Sequence, residues 1–145
     1  MGGIHLQLVI ISLKDKLYAV QSSEVDEITG PQKWTEVPKA PQWVLGLINL
    51  RGNILSLIDF DKFLNNHGNT QQEEKLCYNN TVIIKSGKRK VALALGDVEE
   101  VVDVDESHIQ LMDEQVNDAV EGVLLRNDRV INLINLPTLF SENEG

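Results

Sequence analysis

Part of this chain is written twice, and that repetition restricts its fold more than any other feature. GLINLRGNILSLIDFDKFL, Gly46–Leu64, lies without a gap on GVLLRNDRVINLINLPTLF, Gly122–Phe140. Glycine opens both copies, Asn53 to Leu57 alternates as Arg129 to Leu133 does, and Asp59-Phe60 meets Asn135-Leu136. Upstream, LYAVQSSEVDEI, Leu17–Ile28, overlays KVALALGDVEEV, Lys90–Val101, with Ala19 over Ala92, Val25 over Val98 and Glu27 over Glu100. Short β patterns are degenerate, so coincidence is the competing explanation; the length of the register favours a tandem of two similar halves.

Apolar stretches of strand length recur from Leu6 onward, separated by Gly, Asn, Asp and Lys, with no sustained helical period. Strands are expected at Leu6–Ser12, Lys16–Val20, Val25–Thr29, Leu45–Leu50, Asn53–Asp59, Val82–Lys85, Lys90–Leu95, Val98–Val104, Val120–Leu125 and Arg129–Ile134. Lys14-Asp15, Arg51-Gly52-Asn53, Ser86-Gly87-Lys88 and Asn127-Asp128 suit tight hairpins, where Gly, Asn and Asp tolerate positive φ. Phe60–Leu64 and Pro137–Phe140 read as short helices, the second opened by its proline. The polar stretch Leu64–Asn80 suits a surface connection between the halves. Each half holds about five strands, the number for a small SH3-like or OB-like barrel. Barrels this small bury little apolar surface alone, so two are expected to pack together as one domain over residues 1–145. Subdomain one is expected at about 12–64 and subdomain two at about 78–140, with the N-terminal strand available to complete the latter.

Composition removes several function classes. A net charge of −9 repels phosphate backbones and anionic lipid, and two Trp, two Tyr and three Phe supply no basic-aromatic stacking platform, so nucleic acid is not an expected partner. Apolar runs such as Val44–Ile48 and Ile54–Ile58 fall far short of the ~20 residues of a membrane helix. MGGIHLQLVIISLKDK lacks the basic start and small-residue cleavage site of a signal peptide, and a cytoplasmic location is expected. Cys77 has no second cysteine, and His5, His67 and His108 are widely separated, so neither a disulfide nor a metal site is expected. With no phosphate loop, nucleophile elbow or Walker lysine, no residue is nominated for catalysis and no cofactor is expected.

Several residues stand out. Gly46 and Gly52 mark backbone that turns sharply or approaches a neighbour closely. Arg51, at a hairpin tip beside Asn49, reads either as a five-donor head for a partner's carboxylates or as a solvated turn charge. Pro38 and Pro41 stiffen the lead-in to the Gly46 strand, and Trp34 and Trp43 read as core or as interface anchors, with core favoured. In the run from Asp97 to Glu106 acids alternate with valines, a solvated strand face and not a paired-carboxylate centre.

VPKAPQWVLGLINLRGNILSLIDFDKFL, Val37–Leu64, resembles the signature of the CheW family of chemotaxis coupling proteins: proline, alanine-proline, G-x-x-N-L-R-G, then an aliphatic strand ending in Asp. The likeness extends through Tyr18–Ile28, VALALGDVEEVVDV and Gly122–Phe140, and so over most of the chain. It implies a mainly β fold of two SH3-like five-stranded barrel subdomains on a shared core, with short helices. It also implies a non-catalytic adaptor that joins the regulatory domain of a CheA-type histidine kinase to the cytoplasmic hairpin tip of chemoreceptors. Carried over by motif position, Val25, Glu27 and Ile28 face the kinase, while Gly46, Asn49, Arg51, Gly52, Leu95 and Val98 fall at the receptor groove. Ser56 stands where many members have Pro, and Gly96-Asp97 displaces a family Asp by one place; these departures fit a paralogue tuned to another receptor or kinase. A pilus, gliding or developmental pathway is the alternative within the family, and an SH3-like peptide-binding module the alternative outside it.

Overall fold

A computed structural model describes residues 4–64, 77–111 and 120–143. The strands are β1 (His5–Leu13), β2 (Lys16–Gln21), β3 (Val25–Thr29), β4 (Val44–Leu50), β5 (Asn53–Asp59), β6 (Asn80–Ser86), β7 (Arg89–Leu95), β8 (Asp97–Asp105), β9 (Gln110–Leu111), β10 (Val120–Arg126) and β11 (Arg129–Ile134). Helices α1 (Phe60–Leu64) and α2 (Leu136–Asn143) follow β5 and β11. All ten expected strands are present, and the addition is β9, whose two residues are too short to leave a periodic signal. Most of the expected connection Leu64–Asn80 lies outside the described residues, as does His67.

The strands form a six-stranded sheet, ordered β8-β1-β2-β11-β10-β9, and a five-stranded sheet, ordered β3-β6-β7-β5-β4. The chain packs as two compact units: a discontinuous one of Met1–Glu24 with Val98–Gly145, and a continuous one of Val25–Asp97. This differs from the expected division at about 12–64 and 78–140. The two copies of the repeat exchange strands. Hairpin β1-β2 of the first copy joins β11 of the second through parallel pairs Leu17 to Ile131 and Ala19 to Leu133. Reciprocally, β5 joins β7 through Leu57 to Ala92 and Asp59 to Ala94. Ala19 and Ala92 are equivalent in the repeat, as are Leu133 and Leu57, so the same pairing occurs in both units with copies exchanged.

Local detail repeats as well. A bulge between Val44 and Gly46 is matched by one between Val120 and Gly122. Asp59 Oδ1 accepts the Lys62 amide at 3.0 Å at the start of α1, and Asn135 Oδ1 accepts the Thr138 amide at 3.0 Å at the start of α2. Pro137 stands in the first turn of α2, where its missing amide costs nothing. Arg51 (φ 54°) with Gly52 (φ 87°) and Asn127 (φ 53°) with Asp128 (φ 63°) are both type I′ turns, the form whose twist matches a hairpin.

Each unit has its own apolar core. In the discontinuous unit, Leu8, Ile10, Leu17, Ala19, Val102, Val104, Leu124, Ile131 and Leu133 pack together. In the continuous unit, the set is Ile48, Leu55, Leu57, Ile83, Ala92 and Ala94. The alternation of Leu8 with Ile10 and of Ile131 with Leu133 is the period of two that places one face of a strand inward. Trp43 packs on Phe63 with ring centroids 4.7 Å apart, and Trp34 meets Tyr78 edge-on at 5.9 Å. Tyr78 also donates its hydroxyl to Asp59 Oδ2, and burial first, then the Asp59 carboxylate, hold its proton well above the usual phenol range. Asp59, buried at the strand-to-helix corner, therefore receives bonds at both oxygens.

Candidate partner-binding surface

In the continuous unit, β3 and β4 are the two edges of the five-stranded sheet. Arg51, in the turn after β4, nevertheless reaches Glu27 on β3: Nη1 donates to Oε1 at 2.7 Å, and Nη2 lies 2.7 Å from Oε2. Opposite edges meet only if the sheet curls, so this bidentate pair marks a closing β barrel. The discontinuous unit does the same with different residues. Arg126 Nη2 lies 3.3 Å from Glu100 and Arg129 Nη1 lies 3.7 Å from Glu99, joining β10 and β11 to edge strand β8.

The hairpin residues have separate tasks. Asn49 Oδ1 accepts the Gly52 amide at 2.9 Å and fixes the turn that carries Arg51. Gly52 supplies the positive φ. Gly46 is required by close approach: a Cβ there would lie 2.2 Å from the Thr35 carbonyl oxygen. Thr35 and Leu47 exchange two backbone hydrogen bonds of 2.9 Å at that point. The motif glycines and asparagine thus build a platform, and Arg51 is the side chain it displays.

The two sets of expected contact residues are not separate. Glu27, placed on the kinase side, and Arg51, placed on the receptor side, are one ion pair, and the Arg51 side chain is still 73% exposed. Neither sequence reading of Arg51 included an internal partner, because the closure that brings β3 to the β4-β5 turn leaves no local signal. Ile28, on the same strand as Glu27, is exposed, and Val25 is half-buried. Leu95, on β7 in the middle of its sheet, is fully buried, and motif position alone does not report which face a residue takes. Val98 lies on β8, half-buried, in the discontinuous unit. Trp34, Leu47 and Ile54 on the continuous unit, and Val101, Leu125 and Val130 on the discontinuous one, are exposed hydrophobics. Leu125 and Val130 face each other across β10 and β11.

Of the departures from the family pattern, Ser56 is exposed on β5 opposite Leu47, and Asp97 Oδ1 accepts the Asn79 side-chain amide at 3.0 Å. In the discontinuous unit a cavity of ≈ 290 Å³ is lined by Leu6, Ile109, Leu133, Glu106 and Glu121 among others. Glu24, close enough to Glu121 to be repelled by it, has its carboxyl pushed up by burial first and by Glu121 second. Among the described residues no group of three or more His, Cys, Asp or Glu side chains converges to hold a metal ion. No helix among them is long and apolar enough to cross a membrane.

Each of the two units is a curled β sheet built from exchanged copies of one repeat, and each exposes apolar side chains of the kind that mark interaction surfaces. The chain belongs to the CheW-like domain family, whose model matches residues 7–144. It is 32% identical to a probable chemotaxis protein CheW of Rhizobium etli, over 96% of this chain and 90% of that one. It is 29% identical to chemotaxis protein CheW of Rhizobium meliloti, over 95% and 89%. The crystal structure of scaffolding protein TtCheW from Thermoanaerobacter tengcongensis superposes with a TM-score of 0.78 at 27% identity, covering 94% of this chain and 88% of that one.

Proposed function

We propose that this chain is a non-catalytic cytoplasmic adaptor that couples chemoreceptors to a CheA-type histidine kinase. The observation that carries the reading is the family hairpin itself: Asn49 and Gly52 set the turn, and Arg51 is held by Glu27 yet remains open to a partner. The relatives' names, chemotaxis protein and scaffolding protein, support it. On this reading Val25, Glu27 and Ile28 meet the kinase regulatory domain, and Arg51 with Val98 meets the receptor tip. An interface of ~800 Å² per partner suffices for each contact. Signal passes as a shift in kinase-state populations biased by receptor packing, which needs no bond-making in the adaptor.

The test is a pull-down with a CheA-type regulatory domain and a receptor cytoplasmic fragment, scored separately. Binding of both is the expected result, and binding of neither would overturn the reading. Ile28→Glu should weaken kinase binding while the circular dichroism spectrum is unchanged; unaltered kinase affinity would remove β3 from the kinase face.

A further inference from the structure

The cavity of the discontinuous unit is lined by two kinds of side chain. Leu6 of β1, Leu133 of β11, and Ile109 and Leu111 of the segment that ends in β9 supply apolar wall, while Glu106 and Glu121 supply acid. At ≈ 290 Å³ the cavity lies at the lower end of the roughly 300–1,000 Å³ in which proteins hold small organic ligands. Glu106 and Leu111 are exposed, so it is open to solvent on the side of the 3₁₀ turn Glu106–His108 and β9.

These acids lack a cation. Among the described residues no lysine, arginine or histidine forms an ion pair with Glu106, Glu121 or neighbouring Glu24. Glu121 accepts a neutral hydrogen bond from the Asn135 amide at 3.2 Å, and His5 and His108 act on Asp105. Glu24, which Glu121 repels, has Oε2 buried without a hydrogen-bond partner among the described residues.

Most occupants would leave part of this lining unused. An anion meets carboxylates on a chain of net charge −9. A metal ion needs converging ligands, and among the described residues no group of three or more His, Cys, Asp or Glu converges. A neutral hydrocarbon fits the wall and leaves the acids without a counter-charge. A short aliphatic chain that ends in a positive charge matches both surfaces.

We propose that this cavity binds a small aliphatic amine as its ammonium ion, the chain against Leu6, Ile109, Leu111 and Leu133 and the charge toward Glu106 and Glu121. The added cation offsets the repulsion between Glu121 and Glu24. β9 is joined to β10 through Gly122 to Leu111 and Val123 to Gln110, so an amine in contact with both Leu111 and Leu133 tightens a short edge strand against the core. Amine binding here needs neither a kinase nor a receptor.

The test uses the ¹⁵N-labelled full chain titrated at neutral pH with n-butylammonium chloride and, in parallel arms, with 1-butanol, ammonium chloride, sodium butyrate and a capped lysine that stands in for a partner's side chain. Amide shifts should concentrate at Leu6, Glu106, Ile109, Leu111 and Glu121 with butylammonium, and butanol and ammonium should bind at least about tenfold more weakly, because each supplies half of the match. Glu121→Gln, which keeps an acceptor for Asn135, should weaken butylammonium binding about tenfold, and exposed Glu106→Gln about threefold. Shifts spread over the acidic surface, equal binding of butanol or ammonium, tighter binding of butyrate or of the capped lysine, or unchanged affinity in both variants would each overturn the proposal. If Glu121→Gln does not fold, the shift map of the unaltered chain and the Glu106→Gln variant decide.

Discussion

Gly46 and Gly122 are equivalent in the repeat, but their surroundings do not tolerate a side chain equally. At Gly46 a Cβ would meet the backbone oxygen of Thr35 at 2.2 Å, and Thr35 cannot retreat without losing its two bonds to Leu47. At Gly122 the nearest atom is a side-chain methyl of Ile109 at 2.8 Å, followed by the Gln110 oxygen at 3.0 Å. Gly46→Ala should cost about 3 kcal/mol and Gly122→Ala about 1 kcal/mol, read from urea unfolding midpoints. Equal losses would show that the second site is as rigid as the first. Glu24 gives a residue-scale pH effect. Its folded carboxyl holds a proton to higher pH than its ordinary value of 4.5, so the folded state binds more protons in the window just above that value. Stability therefore falls as pH rises through the window and stays lower above it. Glu24 Oε2 is buried without a hydrogen-bond partner among the described residues, which is the same cost seen from the structure. Glu24→Gln should raise the urea midpoint at neutral pH and flatten that fall; a lower midpoint would mean that the carboxylate has a stabilising role.

At the scale of elements, the strands were legible in the sequence and their partners were not. Alternation along Lys16–Val20 or Arg129–Ile134 reports which face a strand buries, but it carries no information on the parallel join of β2 to β11. Asn132, whose amide donates to the Leu17 carbonyl at 3.1 Å, is a polar side chain that marks this join, and it resembles any other alternating polar residue in the sequence. The same limit hid the pairing of Glu27 with Arg51, which depends on sheet closure, and the burial of Leu95, whose surroundings depend on the strands on either side of β7. The turn chemistry was legible because it is local: Asn127, Asp128 and Gly52 have the positive φ their residue types accept, and Arg51 at φ 54° is carried by the turn that Gly52 permits. Closure by Arg51 and Glu27 can be measured as a coupling. Arg51→Asn removes the guanidinium while retaining a residue that accepts φ near 54°, and Glu27→Gln removes the carboxylate. Combined in a double-mutant cycle, they should show about 0.5 kcal/mol of coupling in stability, the scale of an exposed pair with good geometry. Kinase and receptor binding should both weaken in either single variant, because one ion pair orients both residues. Loss of receptor binding alone in Arg51→Asn would show that Glu27 holds its place unaided.

For the whole molecule, the repeat and the packing unit are different objects, and this has a consequence for folding. Each copy of the repeat contributes a two-stranded hairpin to the unit that the other copy completes, so neither copy contains a full hydrogen-bonded sheet. β1 and β2 have no neighbour from their own copy on the β11 side, and β6 and β7 have none on the β5 side. A chain cut between Leu64 and Cys77 should therefore give two fragments that are each unfolded, since an isolated hairpin is marginal in water and the missing strand leaves core residues such as Leu17 and Ala92 uncovered. Mixed together, the fragments should recover the β signal of the intact chain in far-ultraviolet circular dichroism, with a dependence on concentration. By contrast, a fragment spanning Val25–Asp97 retains all five strands of its sheet, the Arg51 to Glu27 closure and the core around Leu57 and Ile83. It should give dispersed amide resonances on its own, with stability reduced by its small core. If the fragments cut between Leu64 and Cys77 fold separately instead, the two copies can close without exchange, and the exchanged arrangement is a property of the tandem chain and not of each sequence.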